Sequence, residues 1–206
     1  MIEVATWWLA LQAAGVAGIG PSWLLLRRLP DRGYAFVKPL GLVAWGYVLW
    51  LSASLHLLPN SRFTIAFAWL LLTGTAVLVI RSRRAPVVAF VRGHWRYMAF
   101  IETLFLVSLV LAAVLRSYNA DISQTEKPMD FAMLNGVLRS DYFPPQDPWL
   151  AGHSVSYYYG GYVLQGMLTS ITDIEPAVAY NLALAGTAAL ATVAAAGIGW
   201  DLVRAL

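Results

Sequence analysis

Long apolar runs alternate with short polar connections along this chain, and six of the runs approach the roughly 20 residues that a helix needs to cross about 30 Å of hydrocarbon. They cover 4–26, 39–58, 63–80, 97–115, 153–171 and 177–200. The pattern predicts an all-α fold, a polytopic transmembrane bundle of about six spanning helices. The first run is expected to span and not to be a cleavable leader, because Glu3 stands where a leader carries lysine or arginine and the run is too long. The third is the shortest, and Arg62 and Arg81 can snorkel from its ends. Pro21 is expected to kink or end the first helix for want of an amide hydrogen.

Small residues recur at fourth positions within two of these runs. Ala10, Ala14 and Gly18 do so in the first, and Ala179, Ala183, Thr187, Ala191, Ala195 and Gly199 in the sixth. Such stripes let helices approach closely, so packing explains them better than a ligand does.

Between the fourth and fifth runs lies a connection, 116–152, far longer than the two to eight residues common between helices of a bundle. Its middle, 128–139, reads as an amphipathic helix. At about 100° per residue, Met129, Phe131, Met133, Leu134, Val137 and Leu138 share a broad apolar arc, with Asn135 and Arg139 opposite. A helix of this kind lies along a membrane surface. After it, "YFPPQDPW" is predicted to be extended, since its prolines remove donors and restrict their neighbours.

Composition agrees with this picture. Of 206 residues, 59% are hydrophobic and only 12% charged, about half the charged share of an ordinary domain. The net charge of +3 would suggest a nucleic-acid partner only if the basic residues formed one stripe, and here they sit in short clusters between apolar runs. Nucleic acid is therefore not expected, and the lipid bilayer is. Cysteine is absent, which excludes disulfides and thiolate metal sites. Arginine and lysine crowd 27–38 and 81–96, so these connections are expected inside a cell membrane and 116–152 outside it. Six crossings would then place both termini outside. The connection 173–175 carries only Asp173 and Glu175 and fits this alternation poorly.

Several ionisable residues are candidates for chemistry. Glu102 lies inside the fourth run and Lys38 at the mouth of the second; an intramembrane acid is a functional candidate by default, with a Lys38–Glu102 ion pair as the plainer reading. His56 has no partner at metal-ligand spacing. Asp130 projects from the apolar arc of the amphipathic helix, and Glu126 falls on the same side one turn earlier. Helix capping can account for either acid: Ser123 and Glu126 stand at capping-box spacing, and Asp130 is third if Pro128 is first. Asp147 suits an Asx-turn before Pro148. Tyr157, Tyr158 and Tyr159 are predicted to open the fifth helix, spread over about 200°, so that at least one turns inward and needs a hydroxyl partner. Gly160 and Gly161 are expected to permit a close approach there.

The segments "EKPMDFAMLNGVLRSDYFPPQDPW", "LAGHSVS", "YYYGGYVL" and "AYNLALA" resemble the YYY family of archaeal and bacterial multi-pass membrane proteins, densely over 125–181. Ser156 and Gly160 depart from that family's pattern, in which asparagine often precedes and phenylalanine follows the triplet. The layout is similar to that of GT-C glycosyltransferases, which take sugar from a polyprenyl-phosphate carrier and bear a catalytic acid in a long external loop. The resemblance implies 97–206 as a GT-C-like portion, expected to be incomplete, behind three added helices in 1–96. It implies Asp130 as catalytic base with Glu126 second, and Lys127, Arg139, Asp147, His153, Tyr157, Tyr158 and Tyr159 as substrate-binding residues. The donor would be a polyprenyl-phosphate sugar. A divalent cation held by Glu126 or Asp147 is a candidate cofactor, although no metal motif is present. Further membrane helices or subunits would be partners. Two other classes stay open: a non-catalytic membrane scaffold, and an ion-coupled transporter using Glu102.

Overall fold

The computed structural model of the chain describes residues 2–206. Its helices are α1 (Ile2–Leu25), α2 (Val37–Ser54, preceded by a 3-10 turn at Tyr34–Phe36), α3 (Arg62–Ser82), α4 (Arg84–Ser117), α5 (Lys127–Arg139), α6 (Gly160–Thr172) and α7 (Pro176–Ala205). Among the described residues the only strand-like pairing is one antiparallel bridge between Gln146 and Ser154. The fold is an all-α membrane bundle in which five helices, α1 to α4 and α7, are long and apolar enough to cross a bilayer.

The sixth expected crossing is not made. α6 has 13 residues, about 20 Å at 1.5 Å per residue, too short for about 30 Å of hydrocarbon. The apolar run 153–171 is cut because its first part is held elsewhere. Val155 N–H donates to Pro145 O at 2.9 Å and Asp147 N–H to His153 O at 2.9 Å, which folds 146–154 back on itself. The tyrosine triplet therefore precedes the helix, with Tyr159 in the N-cap position. Both ends of α6 are tied to the same half of the bundle. Trp50, near the end of α2, donates to the Tyr159 hydroxyl at 2.9 Å, and Asp173 pairs with Arg62 at the start of α3.

With five crossings the two chain ends separate. Glu3 and Val4 of α1 share a cavity wall with Arg116 of α4 and Ala177 of α7. At the other end Asp201 of α7 accepts a 2.9 Å bond from the Asp31 amide, between α1 and α2. The expectation that both termini lie on one side is thus corrected. The correction also explains the misfit at 173–175, which stands with Arg62 and not opposite it. Ten of the 14 basic residues now fall at the Asp31–Asp201 end with three acids, while the other end carries four basic and eight acidic residues.

The basic stretch 81–96 is helix, not loop: only Arg83 separates α3 from α4, which runs for 34 residues. Pro21 lies within the last turns of α1, which continues to Leu25. Close packing is most severe between α1 and α2. A Cβ on Gly18 would stand 1.8 Å from Val37 O, and one on Gly41 would stand 1.8 Å from Ala14 O. The predicted stripe in α7 holds only at first: Ala179 and Ala183 are buried, but Thr187, Ala191, Ala195 and Gly199 are exposed. A spacing of four drifts about 40° per step against 3.6 residues per turn. The buried line passes instead through Gly186, Ala189, Val193 and Gly197. Gly160 and Gly161 have open space where a Cβ would go; the close approach is at Gly166, against Val137 of α5.

At the basic end a buried polar network links α1, α2, α4 and α7. Lys38 pairs with Glu102 at 2.5 Å, and Tyr34 and Gln12 donate to the same carboxylate at 2.9 and 3.1 Å. Asp31, fully buried, accepts from the Gly33 and Ala35 amides at 2.6 and 3.1 Å and from the Tyr97 hydroxyl at 2.9 Å. Lys38 lies over the ring of Phe105.

Candidate functional site

α5 packs on α6 and α7 through Met133, Leu134 and Val137, which are buried, with Phe131 and Leu138 half-buried beside them. The helix forms where the apolar arc predicts it, one residue earlier than Pro128. Glu126 is its N-cap residue but makes no side-chain cap bond, and the Ser123 hydroxyl donates to Asp121 instead. The capping box is not formed. That bond and the Ser123 amide hold the Asp121 carboxyl below its ordinary range.

Asp130, in the first turn, is not a cap either. Its two carboxylate oxygens accept from two tyrosines: the Tyr162 hydroxyl of α6 at 2.5 Å and the Tyr180 hydroxyl of α7 at 3.3 Å. Phe131 meets the Tyr180 ring edge-on at 6.1 Å. Burial, and then the bond to Asp130, push the Tyr162 phenol above its ordinary value, so it stays a neutral donor. Asp130 thus joins three helices through one half-buried carboxyl group.

Tyr157 and Tyr158 stand near this cluster, exposed, and are bonded hydroxyl to hydroxyl at 2.5 Å with rings 3.9 Å apart. The bond to Tyr158 pushes the Tyr157 phenol up to about 12, with smaller contributions from Glu126 and Asp130. Tyr159 turns inward as one of the triplet was expected to, toward Trp50 and Phe143. That follows from the N-cap geometry, not from a helical spread.

None of the remaining candidates is hydrogen-bonded to Asp130 through its side chain. Lys127 donates to Asp121 O at 3.2 Å. Arg139 is exposed in the last turn of α5, nine residues and about 13 Å along the axis from Asp130. Asp147 closes an Asx-turn, its Oδ1 accepting from Trp149 and Leu150 amides at 2.8 and 3.0 Å. His153 is exposed in the same hairpin, which Ser140 anchors to the C-terminal half of α5 by accepting from Gln146 N–H at 2.9 Å. Among the described residues no three His, Asp or Glu side chains gather closely enough to hold a metal ion. Of the two candidate cation ligands, Asp147 is committed to its turn, and Glu126 is exposed at the N-cap of α5 with no side-chain cap bond. His56 stacks on Tyr142 at 4.5 Å.

Tyr162 and Tyr180 are the residues that pattern reading missed. Both lie in the segments that carry the resemblance, "YYYGGYVL" and "AYNLALA", but outside the triplet that draws the eye. The buried acids Asp31 and Asp201 were missed as well, because each stands near arginine at the end of an apolar run.

The chain matches the family described as uncharacterized membrane protein (DUF2298) over residues 44–206, and it belongs to that family. No curated protein and no solved structure matches it. The matched range begins inside α2 and takes in the whole of the Asp130 cluster.

Proposed function

We propose that this chain is a glycosyltransferase-like membrane protein that works on a polyprenyl-phosphate-linked sugar at the outer membrane face, with Asp130 as the base. One observation carries the reading: an acid on the bundle-facing side of a surface helix, held by two neutral tyrosine hydroxyls. A merely solvated acid would face away from the bundle. The resemblance suggests the reaction class, and the setting of Asp130 supports its choice as the base.

In the proposed reaction, Asp130 takes the proton of an acceptor hydroxyl as its oxygen bonds to the anomeric carbon. The bond from that carbon to the carrier oxygen breaks, and the phosphate leaves with the electron pair. The Tyr162 and Tyr180 hydroxyls orient the carboxylate, and Lys127, one turn away, offsets phosphate charge. Glu126 is the second candidate base. Tyr157 and Tyr158 offer exposed rings and hydroxyls to the sugar. No step passes through a metal.

The crowding of basic residues at the Asp31–Asp201 end supports placing that end inside the cell and 116–159 outside. Single cysteines at Ser82 and Ser123 test it in intact cells: an impermeant maleimide is expected to label the Ser123 variant and spare the Ser82 variant. The reverse pattern refutes the orientation. Full-length Asp130→Asn in membranes, given polyprenyl-phosphate sugar donors, is expected to lose transfer by about a hundredfold or more with an unchanged unfolding temperature. Transfer at the parent rate removes Asp130 from the chemistry and favours the scaffold. Glu102 is already neutralised by Lys38 and bonded by Tyr34 and Gln12, which does not favour the transporter.

A further inference from the structure

At the Asp31–Asp201 end of the bundle a single residue, Arg83, joins α3 to α4. The two helices nevertheless touch each other little, because α3 packs on α1 and α4 on α7. Between them and α1 lie two adjoining hollows, which share Trp23, Arg32 and Val79 in their walls. The first, of about 290 Å³, gathers Arg27 from just past α1, Arg32 from the α1–α2 connection and Arg83 from the α3–α4 junction, with Trp23, Leu24 and Pro86 as apolar wall. The second, of about 190 Å³, is lined by Ile19 of α1, Val37 of α2, Ile80 of α3 and Val87, Val91 and Met98 of α4.

No carboxylate lines the first hollow. Among the described residues none of its three guanidinium groups is ion-paired or hydrogen-bonded. Arg27 and Arg83 are exposed, and Arg32 is half-buried with its nitrogens still accessible. Its backbone stands at φ 51°, in the left-handed region that a long side chain rarely enters. Its guanidinium lies 4.8 Å from the centre of the Trp23 ring and 5.6 Å from that of Phe90. Cation–π attraction thus fixes the charge where the two hollows meet and leaves its N–H groups free. Asp31, in the wall of the second hollow, is committed to the Gly33 and Ala35 amides and the Tyr97 hydroxyl. What remains is three uncompensated cations facing one hollow, with an apolar hollow directly beside it.

We infer that these hollows bind an anionic phospholipid, its phosphate on Arg27, Arg32 and Arg83 and the first part of one acyl chain in the apolar hollow between α3 and α4. A planar guanidinium matches the oxygens of a phosphate, and basic pockets between spanning helices take anionic headgroups. A zwitterionic headgroup would bring a quaternary ammonium among three cations and is disfavoured. The lipid supplies the contact that α3 and α4 do not make with each other, and this holds whether or not Asp130, at the opposite end, acts as a base.

The test uses the full chain purified in detergent and native mass spectrometry with phosphatidylglycerol, phosphatidylcholine or inorganic phosphate as probes. The parent protein is expected to retain phosphatidylglycerol in preference to phosphatidylcholine. Millimolar inorganic phosphate, which has no chain for the apolar hollow, is not expected to displace it. Arg32→Gln should weaken retention about tenfold. Arg83→Gln, at an exposed position, should do likewise, and it decides the matter if Arg32→Gln unfolds. Arg28→Gln removes the same charge from the same end, beside Arg27 but outside the lining, and should leave retention unchanged. Val87→Phe narrows the apolar hollow without altering charge and is expected to release the lipid. No preference in the parent, retention in Arg83→Gln equal to the parent, an equal loss in Arg28→Gln, lipid still bound in Val87→Phe, or displacement by inorganic phosphate each overturns the proposal.

Discussion

Gly41→Leu is expected to destroy the bundle, while Gly74→Leu leaves it intact. Both exchange glycine for a strong helix former inside a spanning helix, and propensity alone favours each by up to about 1 kcal/mol. The difference lies in what a new Cβ meets. At Gly74 nothing stands within 4 Å, and the position is exposed to lipid. At Gly41 the Cβ would fall 1.8 Å from Ala14 O and 2.7 Å from Gly18 N. These are backbone atoms of α1, and no rotamer change can move them aside. α1 and α2 must separate, and their contact is the most extensive between any two helices of the bundle. Overpacking of side chains costs about 1–3 kcal/mol, and a clash with backbone belongs at or above the top of that range. Size-exclusion chromatography and thermal unfolding after detergent extraction should give no monodisperse Gly41→Leu peak. If both variants unfold alike, α1 and α2 do not meet backbone to backbone at Gly41.

The glycines show how far pattern reading reaches. The small stripe of α1 pointed to a close crossing at Gly18, and the crossing is there, because three residues spaced by four drift little around a helix. Over six residues in α7 the same spacing turns out of the interface, and the buried line has to be found from contacts. Apolar runs located every spanning helix but also proposed one too many. Residues 153–159 are apolar and aromatic enough to belong to α6, yet the Val155 amide donates to Pro145 O and His153 O accepts from the Asp147 amide, which folds the start of this stretch into a hairpin. Those bonds join residues up to ten positions apart, and hydropathy does not register them. The misplaced charge of 173–175 was the one trace in the sequence of the missing crossing.

At the site the legible part was Asp130, because an acid on an apolar arc contradicts its own helix pattern. Its partners were not legible. Tyr162 and Tyr180 are apolar by hydropathy, lie 32 and 50 positions away, and come to Asp130 only because α6 stops short and α7 starts beside it. Phe131 was legible as part of the apolar arc, but not its edge-on contact with Tyr180. The spread of Arg139, Asp147 and His153 away from Asp130 was equally hidden, since a long loop with one helix and one hairpin has no fixed period to read.

Lys38→Met is expected to be among the most damaging single changes to stability that leave the backbone untouched, and Lys38→Met combined with Glu102→Gln to recover most of the loss. Methionine keeps the apolar stem, whose Cγ lies 3.1 Å from where a Cβ on Gly15 would be, and removes only the charge. Glu102 then remains with the hydroxyl of Tyr34 and the amide of Gln12, neither of which neutralises it. Removing one partner of a buried pair costs about 3–5 kcal/mol. The lower figure suits Glu102, whose side chain is 33% exposed against 4% for Lys38. For a chain of this length about 3 kcal/mol corresponds to a fall of roughly 6–12 °C in unfolding temperature. Glutamine at 102 abolishes the orphaned charge and still accepts from Tyr34, so the double variant should regain more than half of that fall. A double variant as unstable as Lys38→Met alone would mean that the lysine ammonium acts through Phe105, 4.9 Å away, and not through Glu102. The pair fastens α2 to α4 at the same end as Asp31, which fastens the α1–α2 connection to α4 by accepting from Tyr97 at its carboxylate and to α7 by donating its backbone amide to Asp201. Charge at this end of the bundle is thus used to join helices, whereas at the opposite end three helices meet where the Tyr162 and Tyr180 hydroxyls bond to Asp130.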